Sequence, residues 1–330
     1  MNENQPILSV RNLETMIETK RGEFAAVDGV SFDLYPAETL GIVGESGSGK
    51  SLTGLSLMRL LPRDVGRISG GQVYLAGTDL TTVSDAEMRK VRGRDIAMIL
   101  QDPQTSLNPS FTIGDQIVEA MRLHRTAEPQ GFMQMAIDTL RKVRVAAPEM
   151  RVHAYPHQMS GGMRQRAVGA IAISCQPKVI IADEPTTSLD VTVQAQYLRL
   201  LRELQEQTGM GILFITHDFG IIARVCHRLA VMYAGQVIET GPVKSVFDRP
   251  SHPYTQALLA SVPRLNGHQG RLPAIEGQPP ALWAKPEGCR FAPRCPFAND
   301  RCHSQQPPVT HLGGEGRDQH TASCWRLLPC

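Results

Sequence analysis

The chain has 330 residues, 34 basic against 32 acidic side chains for a formal net charge of +2, and only 5% aromatic residues. A charge balance so near zero supplies no field to hold nucleic acid, and so few rings make poor platforms for stacking bases, so no nucleic-acid partner is expected. No apolar run approaches the ~18 residues that span a membrane, Met1 to Pro6 lack the basic-then-apolar pattern of a signal peptide, and the length suits one large α/β domain with an appendage. The chain is therefore expected in the cytoplasm, tied to any membrane only through a partner.

Ile7 to Leu13 and Val30 to Leu34 have strand character, with Gly22 and Gly29 punctuating between them. The apolar run Thr39 to Val43 predicts a buried strand, and Leu52 to Leu61 repeats leucines and Met58 at helical spacing. Between them lies Gly44-Glu45-Ser46-Gly47-Ser48-Gly49-Lys50-Ser51, which fits G-x-x-x-x-G-K-[ST]. Strand, glycine turn and helix start aim successive backbone N–H groups and the positive end of a helix dipole at one point, which suits a polyphosphate. Lys50 is placed to reach the β/γ-phosphates and the Ser51 hydroxyl to ligate Mg²⁺.

Gly70-Gly71 predicts a turn into a short strand, Gln72 to Leu75, and Asp79 to Arg92 reads as helical. Ile96 to Leu100 is a compact apolar strand that delivers Gln101 at its end, where ligands bind in α/β sheets. Ile113 to Val145 reads as helical until Pro148 and Pro156 break the pattern. Met159-Ser160-Gly161-Gly162-Met163 is a glycine turn opening another helix, whose N-terminus suits an anion. Val179 to Ala182 is a β-branched run ending in Asp183-Glu184-Pro185. Two carboxylates at a strand end complete a phosphate-loop site, the first holding Mg²⁺ and the second polarising the attacking water. Ser188-Leu189-Asp190 precedes an amphipathic helix, Val191 to Gln207; the strand Gly211 to Ile215 delivers Thr216-His217-Asp218; and Val231 to Glu239, split by Ala234-Gly235, reads as a hairpin.

Taken in this order, the motifs resemble the nucleotide-binding subunit of an ATP-binding cassette (ABC) transporter over about residues 7 to 260. Further stretches narrow the resemblance to the ATPases of bacterial dipeptide and oligopeptide importers: Gln101-Asp102-Pro103, Ser106-Leu107-Asn108-Pro109, Met232-Tyr233-Ala234-Gly235, His252-Pro253-Tyr254-Thr255, Gly288-Cys289-Arg290-Phe291 and Pro293-Arg294-Cys295-Pro296. The resemblance implies an α/β P-loop NTPase core with an ABC-type β-subdomain and a helical subdomain (about 102–170) in residues 1–260, followed by a small Cys-rich extension in 261–330. It implies that ATP and Mg²⁺ are held by Gly44, Ser46, Gly47, Gly49, Lys50 and Ser51 with Gln101 and Asp183. It implies further that Glu184 is the catalytic carboxylate, that His217 clamps the γ-phosphate, and that Ser160, Gly161 and Gly162 act on ATP held by a facing subunit.

Partners implied are a second ABC ATPase, expected as a different chain, two transmembrane permeases that hold the ATPase at the cytoplasmic face of the bacterial inner membrane, and, indirectly, an external solute-binding protein. The solute expected is a di- or oligopeptide, with nickel, glutathione or an antimicrobial peptide as alternatives; a soluble ABC ATPase is a further one. Three positions depart from the wider family, one of them the signature, which reads Met159-Ser160-Gly161-Gly162-Met163 where leucine and glutamine are commoner at its ends. The ring that stacks on adenine falls near Ile17, where none exists, though Phe24 is close in sequence; and Ala37 replaces a usual glycine before Glu38.

Of seven cysteines, Cys289, Cys295, Cys302, Cys324 and Cys330 crowd the last 42 residues. In a reducing compartment such a cluster is more often metal-binding than disulfide-bonded. Gaps of 6, 7 and 22 residues between the first four are wider than the pairs zinc favours, whereas the ligands of an iron–sulfur cluster need only converge in space. A four-iron cluster on Cys289, Cys295, Cys302 and Cys324 is the expectation, with Zn²⁺ or free thiols as alternatives and Cys330 as the spare.

Overall fold

The computed structural model describes residues 5–62, 64–124, 131–187, 189–262 and 273–327; Ser188 and Cys330 lie outside them. The chain divides into two compact units, one of Met1–Leu8, Leu34–Glu38 and Leu75–Phe214, the other of Ser9–Asp33, Thr39–Tyr74 and Ile215–Cys330.

In the first unit the strands Gly211–Thr216 (to Phe214), Val179–Asp183 and Ile96–Ile99 lie side by side. Ile96–Ile99 and Val179–Asp183 run parallel, with Ile96 opposite Val179 and Ile99 opposite Ala182. Every residue of Val179–Asp183 is buried, as expected where both faces of a parallel sheet are covered, so the strand reads as an unbroken apolar run. Helices Ile113–His124, Gly131–Lys142 and Gly161–Ile173 pack on one another. The long helical reading from Ile113 to Val145 thus resolves into two elements, with residues 125–130 outside the described set. The reading Asp79 to Arg92 shortens to Asp85–Val91, because Ser84 and Glu87 form a capping box that starts the helix there.

In the second unit Thr39–Val43 pairs parallel with Arg228–Tyr233, Ile42 opposite Ala230. The expected hairpin joins Arg228–Tyr233 to Gln236–Pro242, and Ala234 and Gly235 both take positive φ (45° and 88°), the geometry of the two-residue turn whose twist suits paired strands. On the far side of Gln236–Pro242 the strand His320–Ser323 adds to the same sheet, Glu239 opposite Ala322, so residues near the C-terminus extend this sheet. A second sheet holds Gly22–Leu34, Leu8–Thr19 (from Ser9) and Gly66–Leu75 in that order. Here Gly70-Gly71 do not open a strand but lie inside Gly66–Leu75. Gly71 has φ +83°, and a Cβ there would sit 2.3 Å from the Asn12 carbonyl oxygen, so close approach to the neighbouring strand is what requires glycine.

Ala37, the residue found in place of a glycine, has φ +55° and is exposed, its N–H donating to the Gly209 carbonyl at 2.9 Å. An L-residue in this region carries a steric cost of ~1–2 kcal/mol that glycine escapes, partly offset by glycine's greater freedom in the unfolded chain. Ala37→Gly is expected to raise stability by about 0.5–1 kcal/mol, read as a higher denaturant midpoint at unchanged slope; a lowered midpoint would contradict the strain.

Candidate functional site

The phosphate-loop octet joins Thr39–Val43 to the helix Lys50–Leu57 as expected. Gly49 caps that helix at φ +102°, and a Cβ on it would stand 2.6 Å from the Ala26 carbonyl oxygen, so both backbone and neighbour demand glycine. Lys50 is buried at 5% exposure, and a buried ammonium must be hydrogen-bonded. Its Nζ donates to the carbonyls of Gly44 (2.8 Å) and Glu45 (2.9 Å). The loop thereby folds back over its own lysine, and Ser51 occupies the first turn of the helix behind it.

Glu45, an unspecified x in the motif, is held at both its backbone N–H and its carboxylate. Its N–H donates to Tyr254 Oη at 2.9 Å, and its carboxylate accepts from both ends of the Arg294 guanidinium at 2.7 and 3.1 Å. The Arg294 side chain is only 4% exposed and also reaches Tyr233 Oη (3.3 Å) and the Glu276 carbonyl (3.0 Å). Burial works against its charge, but the bonds to Glu45 and Tyr233 outweigh that and hold its pKa above the ordinary arginine value. Arg290 makes a second tie: it donates to the Ala234 carbonyl and pairs with Asp28, which Lys285 also meets at 3.3 Å. Burial opposes the Asp28 carboxylate, yet these two cations hold its pKa below the usual value. Tyr233, Tyr254, His252 and Phe291 pack beside the ties in tilted and edge-on pairs with ring centroids 4.5–5.8 Å apart. Burial pushes the His252 ring down to about 4, so it stays neutral and its Nδ1 accepts the Tyr254 N–H at 3.0 Å.

His217 stands exposed just beyond the strand Gly211–Thr216, and Asp218 after it caps the helix Phe219–Val225 by accepting from Gly220 N and Ile221 N. Ile17 lies in the strand Leu8–Thr19 at 9% exposure. The nearby Phe24 meets Trp283 edge-on at 6.1 Å, and Arg21 lies 4.6 Å over the Trp283 ring.

In the first unit, Asp183 closes its strand at 5% exposure. Glu184 follows with φ +44°, a conformation that costs a non-glycine residue ~1–3 kcal/mol and that clusters at active sites. Its Oε2 accepts from Gln101 Nε2 (3.1 Å) and Thr187 Oγ1 (3.0 Å), so the glutamine and the carboxylate read separately from sequence are brought together. Ser160 is the N-cap of Gly161–Ile173, its side chain accepting from Met163 N. Asp190 caps Val191–Thr208 through Thr192 N and Val193 N at 3.0 Å; the Ser188 part of that motif lies outside the described residues.

The cysteines of the tail are drawn together in part. The Cys289 N–H donates to the Cys302 carbonyl at 2.7 Å. Burial pushes the Cys289 thiol up to about 11, with Cys302 and Cys324 adding to the shift. Burial likewise raises Cys295, with Cys302 contributing, and Cys324, with Cys295 and Cys302 contributing. Among the described residues, however, no group of three His, Cys, Asp or Glu side chains is placed to hold a metal ion, and all four cysteines are free.

Sequence reasoning missed Arg294, Arg290 and Tyr254 as parts of the nucleotide-loop surroundings. A usable signal was present: two arginines set between apolar residues and cysteines, which must find acids or carbonyls if buried.

A family model described as "ABC transporter" matches residues 27–187, and one described as "Oligopeptide/dipeptide transporter, C-terminal region" matches residues 238–302. The chain is 49% identical over 321 residues to a probable peptide ABC transporter ATP-binding protein of Sinorhizobium fredii, covering 97% of this chain and 95% of that protein. It is 47% identical over 321 residues to the dipeptide transport ATP-binding protein DppD of Bacillus subtilis, with the same coverage. Among solved structures, the dimeric post-hydrolysis state of the ATP-binding cassette MJ0796 bound to ADP and Pi matches with TM-score 0.64 and 25% identity, over 72% of this chain and 98% of that one. Identity of this extent over nearly the whole length, on top of the phosphate loop, the Gln101–Glu184 pair and the capped Ser160 turn, places the chain in the ABC transporter family: it is an ABC ATPase of the peptide-transporter ATP-binding branch.

Proposed function

We propose that this ATPase powers import of di- or oligopeptides through an ABC transporter, bound to the cytoplasmic face of the inner membrane by two permease subunits. The observation that carries the peptide reading is the match of residues 238–302 to the oligopeptide/dipeptide transporter C-terminal region, joined to near full-length relatives named for peptide transport. No helix among the described residues is long and apolar enough to cross a membrane, so a transmembrane path must come from partner chains.

The residues sort by chemistry. Lys50, already desolvated and set among loop carbonyls, neutralises charge on the transferred phosphoryl group, and the loop N–H groups orient it. Ser51, Gln101 and Asp183 would hold Mg²⁺ through oxygen, and the ion would supply Lewis-acid charge neutralisation. Glu184 orients or deprotonates the attacking water, and His217 acts on the γ-phosphate. Ser160 and Gly161 are exposed, and a Cβ on Gly161 would meet nothing within 4 Å. Nothing among the described residues demands that glycine, which leaves room for a partner to approach it: a second ATPase whose nucleotide the Ser160–Gly162 turn completes, and which we take to be a different chain. An external solute-binding protein delivers the peptide.

We also retain the thiols Cys289, Cys295, Cys302 and Cys324 as ligands of a structural staple in a Cys-rich extension over 261–330, a four-iron cluster or, failing that, Zn²⁺. The placement of these thiols near one another supports this, although burial holds Cys289, Cys295 and Cys324 toward the neutral thiol and no complete ligand set stands ready among the described residues. Protein purified without oxygen is expected to absorb broadly near ~400 nm and to lose iron when Cys295→Ser is introduced. Colourless protein holding zinc would replace iron with zinc; metal-free protein with an intact tail would end the proposal.

Co-purification from membranes tests the transport reading. Two permeases and a second ATPase recovered with this chain are expected; recovery with ribosomes or DNA instead would favour a soluble ABC ATPase.

A further inference from the structure

We infer that Arg294 is a positioning residue of the nucleotide site: by pairing with Glu45 it neutralises a carboxylate built into the phosphate loop. This rests on the reading that the Gly44–Ser51 loop binds the phosphates of ATP.

The argument starts from a conflict of charge. A loop that must attract a polyphosphate carries Glu45 as its second residue, and a bare carboxylate there repels the ligand. The pairing answers the conflict. Both Glu45 oxygens are taken by the fork of one guanidinium at 2.7 and 3.1 Å, a bidentate geometry that adds orientation to charge. Arg294 is nearly buried while the Glu45 side chain is 29% exposed, so solvent screens the pair only in part, and the Tyr233 hydroxyl and the Glu276 carbonyl fix the rest of the fork.

The same residue is held at its other polar groups. Tyr254 Oη, in a wholly buried side chain, accepts the Glu45 N–H. The Glu45 carbonyl accepts from Lys50 Nζ. Carboxylate, N–H and carbonyl of one residue thus link the tail, the helix that starts at Pro253 and the loop lysine Lys50. Arg294 thus bears on the loop through a single residue, and the tail sets ATP affinity from outside the nucleotide motifs by neutralising Glu45.

The test is equilibrium binding of MgATP to the full chain, with steady-state KM on the assembled transporter. Arg294→Ala is expected to weaken MgATP binding at least tenfold and to raise KM more than it lowers kcat. Adding Glu45→Gln to that variant removes the stranded charge, so Glu45→Gln/Arg294→Ala is expected to bind within about threefold of wild type. That recovery separates charge positioning from packing, since a tail that had merely come loose is not rescued by a neutral residue in the loop. If Arg294→Ala does not fold, the double variant alone decides: wild-type-like affinity supports the inference and a tenfold loss overturns it. Affinity of Arg294→Ala within twofold of wild type also overturns it. Lys50→Ala is measured beside them. Loss of binding there with normal Arg294→Ala binding refutes the positioning role alone, whereas undiminished Lys50→Ala binding refutes the loop reading on which it rests.

Discussion

Glu184→Gln is expected to lower steady-state ATP hydrolysis by the assembled transporter about 10²–10⁴-fold, the usual range for loss of a general base, equivalent to about 3–5 kcal/mol of barrier. The amide keeps the size of the carboxylate, and its oxygen still accepts from Gln101 Nε2 and Thr187 Oγ1, which both now bond Glu184 Oε2. The strained φ of +44° is a property of the backbone and is retained. What disappears is the base. ATP therefore stays bound without turnover, and nucleotide-binding curves stay near wild type while hydrolysis collapses. Hydrolysis within a few-fold of wild type would remove Glu184 from its role.

Ser160→Arg is expected to stop hydrolysis in the assembled pair at the partner's nucleotide while leaving ATP affinity of the isolated chain within about threefold. Ser160 is exposed and spends its hydroxyl on capping Gly161–Ile173; losing that cap costs only about 1 kcal/mol, so the helix survives. A long cation placed on the exposed turn instead obstructs whatever closes over it. A tenfold loss of affinity in the isolated chain would mean that the turn serves its own nucleotide.

The motifs legible in the sequence were those whose chemistry is local. The octet Gly44 to Ser51 announces strand, turn and helix start within eight positions, and all three formed. Apolar runs such as Val179 to Ala182 and Gly211 to Ile215 gave strands because a doubly covered sheet leaves no room for polar alternation. Gly70-Gly71 misled, because glycine marks a turn and a close strand approach with the same letter, and only the Asn12 backbone beside Gly71 distinguishes them. The start of the helix at Asp85 was in principle readable from Ser84 and Glu87, a capping signature hidden inside a longer polar stretch.

Contacts between distant segments were not legible. Glu45 and Arg294 are 249 positions apart, and neither belongs to the specified letters of the nucleotide motif. Gln101 and Glu184, 83 positions apart, were each found singly, because each ends an apolar strand, but their hydrogen bond follows only from the side-by-side pairing of those strands. The tail hid most. Cysteine spacing pointed to a metal, while the arginines between the cysteines carry the ties to Glu45 and Asp28.

Uptake of labelled peptide into vesicles bearing the complete transporter tests the central claim most directly, with ATP supplied to the face that carries this chain. Accumulation is expected to require hydrolysable ATP, to fall to background with Glu184→Gln, and to be competed by unlabelled peptide but not by nickel or glutathione. Accumulation undiminished by Glu184→Gln, or competed by nickel or glutathione and not by peptide, would contradict it.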